Sequence, residues 1–443
     1  MKQADIPMHQ ASASPLTPGL QETFSSHRAR LAASLPPRSM AIVLSNDVIT
    51  TNADATVPFV ENSDFYYLTG IRQEESALVL FPDAQDPAHR EMLFLRETNE
   101  TIAVWEGARL TKEQATEASG IVKIHWNQQF DSLFRRLMVQ AESVFLNTNE
   151  HPRARPEGPD RNERFVRTSR EQFPLHQYRR LAPLLHRQRA IKTPGEIELM
   201  RRACSVTESG FHRLLKFVRP GVMEYEVQAE LIHEYLRLGA DGFAYPPIIA
   251  SGVNSCVLHY VSNRERCKDG DLLLLDVAAE WGGYDSDMTR TIPVNGRFSP
   301  RQRAVYESVL RVMRAAADLL QPGVMLNEFQ KEVGRVMERE LIGLGLLDAA
   351  EVDKQDPDSP LFRKYFMHGT SHSIGIDTHD VLREDEPVRE NMVFTVEPGI
   401  YLPDEGFGVR LENMIVIKEG GNVDLLGSVP IEPDDIEALM ADR

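Results

Sequence analysis

Cysteine is scarce: Cys204, Cys256 and Cys267 are the three thiols in 443 residues. Three thiols cannot build a disulfide framework and their spacing fits no zinc motif, so they are expected to be reduced and buried. Long apolar runs are missing too. No stretch approaches the roughly 18 residues that a membrane-spanning helix needs, and Met1 to Leu20 lacks the apolar core of a signal peptide; the cytoplasm is the expected compartment. Positive charge is also short, with a formal charge of −17 and no long basic run. Nucleic acids and anionic membranes both attract proteins through a positive field, so neither is expected as a partner. What remains, 42% hydrophobic and 26% charged residues, is a globular composition. The length exceeds one ordinary core, and two domains are expected.

In chain order, residues 1–22 are rich in Ala, Ser, Pro and Gln and read as a mobile leader. Residues 23–185 alternate strand and helix patterns, giving an α/β domain. Its strands are expected at Met40–Leu44, Ser76–Phe81, Glu91–Leu95 and Ser143–Leu146, and its helices at Thr111–Ser119 and Phe130–Ala141. The charged, proline-bearing stretch from Asn147 to about Glu171 reads as a surface loop, with a linker near Arg180 to Gln188. The second domain, 186–443, opens on Thr193-Pro-Gly-Glu196, a capping box with proline at the first helical position. That helix should stop before Pro220-Gly221. A second, from about Tyr225 to Leu238, carries Val227, Leu231, Ile232 and Leu236 on its apolar face.

The stretch that organises the chain is Leu272-Leu-Leu-Leu-Asp276, which continues through Trp281-Gly-Gly-Tyr284 to Asp-Ser-Asp287-Met-Thr-Arg290. The apolar run reads as a buried strand and the Trp-Gly-Gly-Tyr as a turn, so a hairpin is expected. Residues whose numbers add to a fixed odd sum face each other across a two-residue loop. Asp276 and Asp287 straddle a midpoint between Trp281 and Gly282, which would aim both carboxylates at one spot. Glu397 and Glu412 straddle a midpoint inside Pro403-Asp-Glu-Gly406, and the same arithmetic applies. Two ionised carboxylates side by side repel, and one must keep its proton unless a cation lies between them. Two such pairs point to a metal.

The halves that carry these hairpins repeat. Arg219-Pro-Gly-Val-Met223 resembles Gln321-Pro-Gly-Val-Met325, each lies between two helical stretches, and a carboxylate hairpin follows both. A pseudo-twofold arrangement of helix, helix and hairpin would gather all four carboxylates about one centre. Between the two pairs lies Met367-His-Gly-Thr-Ser-His-Ser-Ile-Gly-Ile-Asp-Thr-His379, where His368, His372 and His379 crowd one loop; His259 precedes the first hairpin. Four carboxylates and an imidazole suit hard or borderline divalent ions such as Mn²⁺. The set is large enough for two metals and for hydrolysis.

In this order, Asp276, Asp287, His372, Glu397 and Glu412, with Asp-Ser-Asp-Met-Thr-Arg, His-Gly-Thr-Ser-His and Val-Glu-Pro-Gly-Ile-Tyr around them, resemble the dinuclear pita-bread metallopeptidases, which include methionine aminopeptidase, prolidase and aminopeptidase P. Asn62-Ser-Asp-Phe-Tyr-Tyr-Leu-Thr-Gly70 and Val104-Trp-Glu-Gly-Ala-Arg-Leu110 are similar to the creatinase-like N-terminal domain of bacterial aminopeptidase P. The resemblance implies an α/β creatinase-like domain followed by an α+β pita-bread catalytic domain. It implies an Xaa-Pro aminopeptidase that releases the residue before a second-position proline, using a hydroxide that bridges two divalent metals. Asp276, Asp287, His372, Glu397 and Glu412 become the ligands, with Glu397 also the proton shuttle. His259 and His379 steady the substrate carbonyl and oxyanion, His368 lines the site, and Arg410 orients a ligand from the same strand face as Glu412. Arg410 and Trp105 are the substrate-side residues, Trp105 in a neighbouring subunit's site, within a homo-oligomer that is dimeric or tetrameric. Alternatives are a prolidase acting on Xaa-Pro dipeptides and a metal-free pita-bread peptide-binding module.

Overall fold

The computed structural model describes residues 20–154 and 157–442. The chain divides into two compact units between Arg189 and Ala190. Of the segment expected as a leader, residues 1–19 lie outside the described residues, while Leu20–Glu22 open the helix α1 (Leu20–Ser34).

The first unit is built on one mixed sheet. Its strands are β1 (Ser39–Leu44), β2 (Ala77–Leu80), β3 (Glu91–Leu95), β4 (Ile124–Trp126), β5 (Ser143–Leu146) and β6 (Gln177–Arg180), in the order β4-β3-β2-β1-β5-β6. Helices α2 (Ser63–Thr69), α3 (Glu100–Glu106), α4 (Lys112–Ser119), α5 (Phe130–Met138), α6 (Arg161–Gln172) and α7 (Ala182–Ala190) complete it. Met40, Ile42, Leu44, Val79, Phe94, Leu137 and Val144 share a core. Two expectations fail here. The surface loop expected over 147–171 holds most of α6, which is very polar, with eight of its twelve residues charged or amide-bearing, yet is amphipathic and starts on an Asp160…Glu163 capping box. The linker expected at 180–188 is the end of β6 and most of α7, which packs Leu185 fully inside.

The second unit repeats one motif. α8 (Pro194–Phe217) starts on the Thr193 capping box and packs against α9 (Glu224–Arg237). On α9 Val227 and Leu231 are buried as expected and Ile232 is half-buried, but Leu236 is 56% exposed and Tyr235 is buried in its place. Strands β7 (Gly242–Phe243), β8 (Ile248–Ser251), β9 (Leu272–Asp276), β10 (Ala279–Trp281), β11 (Tyr284–Asp285) and β12 (Thr289–Pro293) follow. The second copy has α10 (Pro300–Leu319) on α11 (Leu326–Gly343), then β13 (Val393–Val396), β14 (Gly399–Leu402), β15 (Phe407–Arg410) and β16 (Asn413–Val416). Cys204 and Cys267 are buried, Cys256 is half-buried, and none forms a disulfide.

The two hairpins differ in how they meet expectation. In the second, Val396 pairs with Asn413 and Gly399 with Arg410, so Glu397 and Glu412 stand opposite each other as expected. In the first, Trp281 pairs with Tyr284 and Asp276 with Thr289. The turn is centred on Gly282 and Gly283, both at positive φ (57° and 74°), as a tight primed turn requires. This shifts the register by two, and Asp287 lies diagonal to Asp276 rather than opposite it. Among the described residues no helix is long and apolar enough to cross a membrane.

Candidate metal centre

All five residues expected as ligands lie in the second unit. Convergence depends on a joint between the two hairpins, where Thr289 and Glu412 form an isolated bridge. Thr289 Oγ1 donates to Glu412 Oε2 at 2.6 Å, and the Glu412 amide donates to Thr289 O at 3.0 Å. Arg290 is fully buried beneath this joint. It donates from Nη1 to Thr289 O (3.0 Å) and Glu412 O (2.7 Å), from Nη2 to Asn413 Oδ1 (2.8 Å), and from Nε to Pro430 O (3.0 Å).

Around the joint, Asp287, His372 and Glu412 each offer a ligand atom, all within 4.8 Å of one another. The His372 ring lies with Nδ1 3.1 Å from Ser373 O, so that nitrogen carries the proton and donates. Nε2 is left as a lone-pair donor, 3.5 Å from Asp287 Oδ2 and 3.7 Å from Glu397 Oε1. A backbone bond from Glu397 N–H to Thr370 O (2.8 Å) ties the glutamate to the histidine loop. Asp276 joins through two neighbours. Arg410 Nη2 reaches its Oδ2 at 2.6 Å, and the Tyr245 hydroxyl lies 2.6 Å from both Asp276 Oδ1 and Asp287 Oδ1.

Charge balance decides whether these residues suit a cation. Burial, then the Asp276 charge, raises the Asp287 carboxyl; burial, then Asp287 and Asp276, raises Glu412; burial, then Glu412, raises Glu397. One Tyr245 proton cannot serve two carboxylate oxygens at once. Buried oxygen donors that resist ionisation side by side, with an imidazole nitrogen held free among them, are the chemistry of a divalent-metal site.

The remaining expected residues divide. His368 donates from Nδ1 to Gly369 O (2.8 Å) and accepts the Tyr401 hydroxyl at Nε2 (2.7 Å); burial and then Arg410 lower it to about 3, so it is neutral. His379 packs edge-on against His372, ring centres 4.4 Å apart. His259 is exposed on its loop, close enough for its charge to act on His368. Arg410 grips Asp276, and through Nη1 also the Tyr401 hydroxyl at 2.9 Å. Trp105 lies on α3 of the first unit, 85% exposed.

Residues 198–419, half of the chain, match the sequence profile of Metallopeptidase family M24. The chain belongs to metallopeptidase family M24. Residues 24–145 match the profile of the aminopeptidase P N-terminal domain. Over 95% of its length this M24 chain is 35% identical to the Xaa-Pro aminopeptidase of Escherichia coli K12, covering 98% of that protein. A putative aminopeptidase P from Bacillus anthracis superposes with a TM-score of 0.88 at 30% identity, over 95% of this chain and 98% of that one. Zinc-substituted E. coli aminopeptidase P in complex with product gives 0.84 at 33% identity, with the same coverage.

Three residues of this M24 centre escaped the sequence reading: Tyr245, Thr289 and Arg290. Tyr245 sits in Phe243-Ala-Tyr-Pro-Pro247, with no local pattern to mark it, and 31 residues separate it from Asp276. Its phenol is raised well above its ordinary value by burial and by Asp276 and Asp287, so it stays a donor. Tyr245→Phe should lower kcat by about 10–100-fold, the usual effect of removing a partner that orients metal ligands. Steady-state kinetics with unchanged turnover would dismiss that role.

The raised carboxyls also set a pH dependence. Their folded-state values lie above the unfolded range near 4, so the metal-stripped fold binds more protons than the unfolded chain. Its stability is then fully present below about pH 4 for these groups and declines as pH rises through their folded values. Thermal melts of stripped protein should show a lower Tm at pH 8 than at pH 6, with the difference shrinking when Mn²⁺ is added. A stripped protein that gains stability over that interval contradicts the buried-carboxylate account.

Proposed function

We infer that the protein is a metal-dependent Xaa-Pro aminopeptidase, which releases the first residue of peptides whose second residue is proline. The observation that carries this is the convergence of Asp287, His372 and Glu412, with Asp276 and Glu397 beside them, in a chain alike over 95% of its length to an Xaa-Pro aminopeptidase. An Xaa-Pro bond is a tertiary amide without N–H. Its recognition therefore rests on the carbonyl, the free amino end and the ring.

Asp276, Asp287, His372, Glu397 and Glu412 would hold two divalent cations, and the oxygen-rich donor set favours Mn²⁺. Bound there, such cations supply Lewis-acid activation of water and of the scissile carbonyl. The side chains do the rest. Glu397 takes a proton from the attacking water and delivers it to the departing proline nitrogen. His379 and His259 donate to the substrate carbonyl oxygen as its charge grows. His368, neutral and held by Tyr401, lines the site, while Arg410 keeps Asp276 in place and faces the substrate. Trp105 is assigned to the substrate side as well. We place the creatinase-like domain at 23–185 and the catalytic domain at 186–443, and the enzyme in the cytoplasm as a homo-oligomer, a dimer or tetramer.

The test is product analysis of Arg-Pro-Pro incubated with metal-stripped protein, then with Mn²⁺ restored. Free arginine released only with metal is the expected result. Cleavage of Arg-Pro with the tripeptide left intact would make the protein a prolidase, and silence on both would make it a binding module.

A further inference from the structure

The loop from His372 to Asp380 carries two imidazoles of this centre, yet it is neither helix nor strand apart from one bridge at Ser373. Its shape comes from side chains. The Asp380 amide donates to Ser373 O at 2.8 Å, and that same carbonyl accepts His372 Nδ1–H. Asp380 Oδ1 accepts the Val381 amide at 2.8 Å, and Oδ2 lies 2.9 Å from Lys192 Nζ. Both charged side chains are almost wholly buried, at 1% and 2% exposure.

Lys192 is itself anchored. Its backbone N–H donates to Asn391 O at 2.9 Å, and its neighbour Thr193 caps α8. Gly375 lies against the ion pair: a Cβ there would come within 2.2 Å of Asp380 Oδ2 and 2.9 Å of Lys192 Nζ. On the opposite side, Thr378 donates to Asp285 Oδ2 at 2.6 Å, and the Asp285 amide donates to Gly375 O at 2.8 Å. The loop is thus held between α8 and β11, with the Lys192–Asp380 contact at its closing end, next to His379.

We propose that Lys192 and Asp380 are positioning residues, a buried clamp that holds His372 and His379 in their working orientation. Stability alone does not account for the pair, because well-packed neutral residues replace buried ion pairs at little loss. Geometry does: two imidazoles on an irregular loop keep a fixed aim only if the loop is tied at its end.

The proposal rests on the aminopeptidase reading for its peptide assay, and Mn²⁺ affinity of the stripped protein provides a readout independent of it. Lys192→Met alone removes the counter-charge from a buried carboxylate and can unfold the chain. The neutral pair Lys192→Met with Asp380→Asn avoids this, and is compared with unmodified protein in the presence and absence of His379→Ala. The neutral pair should melt within a few degrees of unmodified protein while losing about 10–100-fold in kcat and about tenfold in Mn²⁺ affinity. KM should move by less than about threefold. In the His379→Ala background the further loss of kcat should be smaller, since one of the two positioned imidazoles is already gone while His372 remains. Unchanged kcat and Mn²⁺ affinity in the neutral pair would overturn the clamp, as would an equal loss with and without His379. If unmodified protein binds Mn²⁺ but cleaves no Xaa-Pro peptide, the aminopeptidase reading falls, and the Mn²⁺ affinities alone decide the clamp.

Discussion

Asp287→Ala should lower turnover about a thousandfold and reduce bound Mn²⁺, while the metal-stripped variant melts at the same temperature as the unmodified protein or higher. Asp287 stands at the middle of the centre, within 4.8 Å of ligand atoms on His372 and Glu412 and in contact with Tyr245. A Lewis-acid contribution of several kcal/mol disappears with it. At about 1.4 kcal/mol per decade, that is roughly a thousandfold in rate. Stability should move the other way. Burial and the charge of Asp276 raise Asp287, so in the absence of metal its carboxylate opposes folding, and its removal relieves Asp276 and Glu412. Turnover and calorimetric melts of one preparation give both numbers. Near-normal activity, or a stripped variant that melts much lower, would remove Asp287 from the centre.

Arg290→Leu should be the most destabilising single change in the second unit. The guanidinium holds three carbonyls and one amide oxygen, from Thr289, Glu412, Pro430 and Asn413, and the side chain is fully buried. Leucine fills part of the volume and replaces none of these bonds, leaving Thr289 O with the Glu412 amide but the other acceptors without the guanidinium. Each stranded buried acceptor costs about 1–3 kcal/mol, and partial relaxation leaves a net loss of about 4 kcal/mol. Mn²⁺ affinity should fall as well, because the Thr289–Glu412 joint sits on this side chain. Urea unfolding of the stripped protein, followed by circular dichroism, measures the first effect. A loss under about 1 kcal/mol would show that the joint stands without Arg290.

How much of this was legible depends on the range of the interaction involved. The Thr193 capping box, the Pro-Gly-Val-Met repeat and the register of the second hairpin are local, set by caps and turn residues within a few positions. The turn of the first hairpin lies one position beyond the expected one. Only Gly282 and Gly283 together satisfy a primed two-residue turn, and centring it on them moves Asp276 opposite Thr289. α6 departs from the expected loop because its low apolar content outweighs a helical periodicity and a capping box, Asp160 and Glu163, that the sequence does carry.

By itself the sequence determined the class of chemistry: acidic residues inside apolar strands, paired across turns and repeated in two halves, have no stable arrangement without a cation or a proton. Tertiary structure alone decided which groups support them. Tyr245 reaches Asp276 across 31 residues and Lys192 reaches Asp380 across 188, and although strand spacing marked Arg410 as a ligand-orienting residue, packing alone made that ligand Asp276, 134 residues away. Those contacts leave no periodic or turn signal in the chain, because each depends on where two distant elements are packed and not on what its neighbours in sequence prefer.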